Sequence, residues 1–158
     1  MKNKKYKKKN KSSALTIIII IAIVLVGGWF LFRGRGSSEP IEIISKNGIH
    51  WHSRISIRVK GENIPIPANI GISGVHNPIH THDADGVVHL EFSGIVADRN
   101  LRLKEFFRVW GKKFNKECIF DNCNGPGGQV KMLVNGEPNA EFENYIMKDG
   151  DVIEIIYE

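Results

Sequence analysis

Acidic residues are absent from the start of this chain. Residues 1–35 carry nine basic side chains and no aspartate or glutamate. Charge of either sign is then missing from residues 14–32, ALTIIIIIAIVLVGGWFLF. A helix over those nineteen positions would extend ~28 Å, about the hydrocarbon thickness of a bilayer. No A-x-A cleavage pattern follows the run, and no cysteine near its end could accept a lipid. A cleaved signal peptide has a shorter apolar core, roughly 7–15 residues, and is the competing reading. The expectation is an uncleaved signal-anchor: a basic cytoplasmic tail over 1–13, a transmembrane helix over 14–32 and a linker over 33–40. Trp29 and Phe30 suit an interfacial anchor. The seven lysines before the span, against Arg33 and Arg35 after it, predict a single-pass protein in the cell membrane. Its N-terminus would be cytoplasmic and its C-terminal domain outside. The lysine tail suits anionic lipid headgroups.

A second absence concerns the remaining chain. It has 13 of the 22 basic residues and all 17 acids, a net of −4. The high pI therefore describes the tail. No basic cluster with interleaved aromatics follows Arg35, which argues against a nucleic-acid-binding domain. No internal repeat and no G-x-S-x-G are present, so a serine-hydrolase elbow is excluded. Cysteine is scarce: Cys118 and Cys123 are the only two. An outer location permits a disulfide between them. A metal-binding or redox pair is the alternative, although redox pairs more often read C-x-x-C.

What is present is alternation and histidine. In HWHSRISIRVKG, Trp51, Ile55, Ile57 and Val59 fall on odd positions, and His50, His52, Arg54, Ser56 and Arg58 on even ones. That is a half-buried strand. Pro65 and Pro67 place IPIPANIGI at a sheet edge or in an irregular stretch. NPIHTH and GVVHLEF read as two strands joined by the DADG turn. Val88, Leu90 and Phe92 face one side, His89 and Glu91 the other. RNLRLKEFFRVWG turns to helical spacing: Leu103, Phe106, Phe107 and Trp110 form one stripe, with Asp98 or Asn100 as cap and Gly111 as stop. KECIFDNCNGPGG reads as a loop. QVKMLVNGEPN reads as strand, turn, strand, and MKDGDVIEIIYE as a tight turn and a last strand. The fold class expected for 41–158 is α+β, a mixed sheet with one helix across it.

Three histidines lie in HTHDADGVVH. With Asp83–Gly86 as the loop, His82 opposes Val87 and His80 opposes His89. Opposed Cβ atoms are roughly 4.5–5.5 Å apart, and His80 and His82 share a face. Their imidazoles could then close on one metal ion. His50 and His52 show the same H-x-H spacing. If the two strands are neighbours, five histidines line one side of the sheet. The expected metal ligands are His80, His82 and His89, joined by His50, His52 and Asp83, with Asp85 and Glu91 able to ligate or orient. Imidazole suits copper and zinc, between which the sequence does not choose. His76 lies in irregular chain and receives no role. An exposed histidine face without a metal, binding another envelope protein, is the bland alternative. HTHDAD does not complete the H-x-H-x-D-H of metallo-β-lactamase-type hydrolases, because Ala84 and Asp85 stand where Asp and His are needed. The chain is too short for an amidohydrolase barrel. No catalytic residue is assigned, and a zinc-bound water is the one hydrolytic chemistry left open.

Two resemblances follow from these residues. DGDVIEIIYE resembles the closing turn and strand of small sulfur-carrier proteins with the β-grasp, or ubiquitin-like, fold, over about residues 129–158. Their Gly-Gly tail is missing: the chain ends in Tyr157 and Glu158, so their transfer chemistry is not implied. Second, HWHSRISIRVKG, IPANIGI, IHTHDADGVVHLE, LKEFFRVWG and VNG together resemble a set of microbial, often membrane-anchored outer domains. The matching positions are His50, His52, His80, His82, Asp83, His89, Phe106, Phe107, Trp110 and Gly111. ISGVHNPIH departs from that pattern, which often places a Cys and an aromatic before HTHD. The resemblance implies a membrane-anchored outer domain and brings no activity with it.

Overall fold

The computed structural model describes residues 17–23 and 40–158. Residues 17–23 are helical, with Ile17 to Ile21 and Ile23 exposed. Among the described residues no helix is long and apolar enough to cross a membrane. The basic tail 1–13, most of the linker 33–40 and the remainder of the expected span, 14–16 and 24–32, lie outside the described residues.

Ile41–Glu158 forms a compact unit of its own. It is mixed α+β and mostly sheet. Its strands are β1 (Ile43–Ser45), β2 (Ile49–Val59), β3 (Glu62–Ile64), β4 (Ile79–His80), β5 (Val87–Phe92), β6 (Val96–Ala97), β7 (Phe114–Asn115), β8 (Cys118–Ile119), β9 (Asn122–Cys123), β10 (Val130–Val134), β11 (Glu137–Pro138) and β12 (Val152–Tyr157). The main sheet runs β11-β10-β12-β2-β5-β4, with β3 pairing to the far end of β2. Its two central strands, β2 and β12, are parallel, with Arg54 opposite Val152 and Val59 opposite Tyr157. The other pairings in this sheet are antiparallel.

Alternation along β2 sends Ile55 and Ile57 inward and leaves Arg54, Ser56 and Arg58 exposed. Val88 and Leu90 of β5 and Ile153 and Ile155 of β12 extend the same inner face. The helix Leu103–Trp110 buries Leu103, Phe106 and Phe107 in that core. Each of these side chains contributes about 1.5–3 kcal/mol by leaving water. Gly111 ends the helix at φ 70°, a left-handed position that suits glycine.

Three expectations need correction. Neither Asp98 nor Asn100 caps the helix. Both belong to a 3-10 turn, Asp98–Leu101, in which Asn100 accepts a bond from the Ala97 amide. The first helical amide, of Leu103, instead donates to the Tyr145 carbonyl from elsewhere in the chain. The stretch read as a loop around the cysteines contains β8 and β9, which with β7 make a small three-stranded sheet. Its strands are two residues long, too short for periodicity to reveal. β1 and β6 form a further two-stranded sheet that the pattern did not announce. The histidine hairpin's loop spans 81–86 rather than four residues, so His82 has no strand partner.

Candidate metal centre

Register across three neighbouring strands brings the histidines together. His52 on β2 lies opposite His89 on β5, and His89 lies opposite His80 on β4. The adjacent pair is His50 opposite Glu91. All these side chains stand on the face away from the Val88–Leu90 core, as a period of two requires. Aromatic contacts then join all six histidines of the chain. Ring centroids are 4.9 Å apart for His50–His52, 4.6 Å for His52–His89 and 4.6 Å for His89–His82. His82–His80 follows at 4.7 Å and His80–His76 at 4.5 Å.

His80, His82, His89 and Glu91 form one group in which the four ligand atoms lie within 4.8 Å of one another. His50, His52 and His89 form a second such group. The predicted ligand Asp83 belongs to neither and is exposed. Asp85 serves the turn: its carboxylate accepts the Val87 amide, and its carbonyl accepts from Arg54. Glu91 is the carboxylate that joins the histidines. Its Oε1 lies 3.3 Å from His50 Nε2, 3.5 Å from His89 Nδ1 and 3.9 Å from His80 Nε2.

His80 is the best-held member. Its ring is fully buried, and Nδ1 donates to the Asn77 carbonyl at 3.0 Å. A carbonyl only accepts, so the proton sits on Nδ1 and the Nε2 lone pair faces the group. His82 Nε2 lies 3.2 Å from that lone pair. Burial is the main cause that lowers the His80 pKa below 6.5, against the opposing pull of the Asn77 bond. Burial also lowers that of His89, aided by His52 and His82. Both rings are therefore neutral near pH 7, the form that binds metal. His89 Nδ1 is buried without a hydrogen-bond partner, Glu91 being close enough to act as a charge but poorly aligned for a bond.

Supporting contacts fix these side chains. Thr81, between His80 and His82, is fully buried. Its hydroxyl donates to the Pro67 carbonyl at 2.8 Å and accepts from the Ile70 amide at 3.1 Å. Its backbone bonds to Asn69 and Ile70. His52 is held by the turn before β12: its amide donates to Asp149 Oδ1, and its carbonyl accepts from Gly150. Asp151 braces that turn by accepting from Tyr145, Lys148 and Asn135. Gly86, at φ 80°, closes the hairpin where an added Cβ would collide with the Ile55 carbonyl.

Sequence reasoning gave His76 no role and left Thr81 unmarked. Nothing local could have flagged Thr81, which lies outside the strand and is buried by its bonds to Pro67, Asn69 and Ile70. The same is true of His76. An open cavity of about 270 Å³ reaches His80 from the His76 side and is lined by His76, Asn77, Pro78, His80, Glu91 and Ser93. Cys118 and Cys123 are disulfide-bonded, facing each other across β8 and β9. No family model, curated protein or solved structure matches the chain.

Proposed function

We propose that Ile41–Glu158 is a β-grasp-like domain that binds one transition-metal ion outside the cell membrane, with the apolar run 14–32 as its anchor. The fold reading is supported by first and last long strands paired in parallel at the sheet centre. A hairpin follows the first of them, and a helix lies between the two halves. The observation that carries the metal reading is the group His80, His82, His89 and Glu91, whose four ligand atoms all lie within 4.8 Å of one another.

Imidazole nitrogens with one carboxylate suit zinc or copper(II), and zinc is the ion used in the test. With bonds of ~2.0–2.1 Å, ligand atoms of a tetrahedral site are about 3.3 Å apart. The separations of 3.2, 3.5 and 3.9 Å within the group fall in the range that either geometry spans, since opposite ligands of a square-planar site lie about 4 Å apart. The Asn77 carbonyl on His80 Nδ1 is the outer hydrogen bond that metal-bound histidines use to fix their tautomer. The ligands then contribute one negative charge and three neutral nitrogens. Calorimetric titration of the purified full chain with zinc should give one tight site, lost in a His80→Ala/His82→Ala variant. Equal binding by that variant would overturn the assignment.

A further inference from the structure

The two histidine groups are not independent, because both require His89. Glu91 also reaches both, through His50 on one side and through His80 and His89 on the other. They differ in access. The His50 side chain is 66 % exposed and that of His80 1 %, although His82, in the same group as His80, is exposed as well. The ring contacts between them are unbroken, from His50 through His52 and His89 to His82 and His80. Once His89 is engaged by an ion in the His80 group, the other group keeps only His50 and His52, too few ligands to hold a second ion.

We infer that the two groups are successive stations for a single divalent transition-metal ion, an outer one at His50, His52 and His89 and a recessed one at His80, His82, His89 and Glu91. The inference rests on the metal reading above. Transfer is ligand exchange: His89 stays bound while bonds from His50, His52 and one water break and bonds from His80, His82 and Glu91 form, so four ligands hold the ion before and after. No electron moves, and the exchange needs no change in oxidation state. The cavity beside His76 is the competing entrance.

Cobalt(II), whose visible absorption reports its ligands, is the probe. The full chain is loaded in a stopped-flow instrument, and native mass spectrometry counts the bound ions. One ion per chain is expected in wild type. The His50→Ala/His52→Ala variant should reach the wild-type spectrum, but about tenfold more slowly or worse, because the ion no longer gathers beside the recessed site. Release to a chelator should slow equally. A His80→Ala/His82→Ala variant should bind fast and weakly, with a different spectrum. A His76→Ala variant should load at the wild-type rate. Two ions per chain would overturn the inference, as would unchanged loading without His50 and His52, slowed loading without His76, or no binding by the outer group alone. The single variant His50→Gln, at an exposed position, guards against a folding defect in the double one and should also load more slowly. Failure of wild type to bind any cobalt would instead remove the metal reading itself.

Discussion

Zinc should raise the melting temperature of this protein, and the size of the rise can be worked out. A ligand that binds only the folded state at a free concentration 100 times its Kd adds about 2.7 kcal/mol. The compact unit Ile41–Glu158 contains 118 residues. Its unfolding entropy near the midpoint is then about 0.25 kcal/mol/K, so each kcal/mol moves Tm by about 4 °C. The expected gain is therefore about 11 °C. In His80→Ala/His82→Ala, two of the four ligands are gone. Loss of even one supporting contact around a metal weakens binding about 10–100-fold. A 100-fold loss at the same zinc concentration leaves free zinc at about Kd, which is worth ~0.4 kcal/mol. The variant's gain should thus be below about 2 °C. His80 is fully buried, so the variant will melt lower even without zinc. The quantity to compare is the increment between zinc and chelator for each protein, by scanning calorimetry. An equal increment in both, or none in wild type, would refute the reasoning.

Three further outcomes are expected. Thr81→Val keeps the shape but strands the Ile70 amide and the Pro67 carbonyl in the interior. It should cost about 2 kcal/mol and lower Tm by about 8 °C, with zinc affinity falling as His80 and His82 lose their anchor. Gly86→Ala adds a Cβ against the Ile55 carbonyl at φ 80°. It should destabilise by about 1–3 kcal/mol in urea denaturation, and a neutral result would contradict the described turn. The third concerns pH. His80 and His89 have pKa values lowered from 6.5 in the fold, so the unfolded chain binds protons first. Metal-free stability should be complete above about pH 6.5 and fall as acid carries the pH through the lower folded values. His80→Gln should flatten that slope in pH-dependent melting, and a steeper slope in the variant would show the sign to be wrong.

Much of the candidate site was legible because strand periodicity is local. His50 and His52 had to share a face opposite Ile55 and Ile57, whereas His82, outside the strand, reaches His80 through the conformation of its loop. The turn residues correctly set His80 against His89. The pairing of His82 with Val87 failed because Thr81 leaves the strand to bond with residues 67–70, a contact with distant chain. Asp83 looked like a ligand by proximity in sequence. The carboxylate that the register delivers is that of Glu91, across from His50. The disulfide was foreseen only as a possibility, since C-x4-C does not say whether two strands will bring the cysteines opposite each other. The helix stripe was correct, but its capping partner, Tyr145, lies 42 positions beyond Leu103.

The sequence by itself determined which side chains could share a face, where the helix would run and that the histidines would stand apart from the core. These follow from steric rules within a few residues. Only the tertiary structure decided that β2 is the neighbour of β5, and so that HWH and HTHDADGVVH complete one site. It also decided that β12 would lie parallel to β2, with its preceding turn holding His52. Strand order and register depend on how separate apolar faces bury one another. That balance is summed over the whole core and is not written in any one segment.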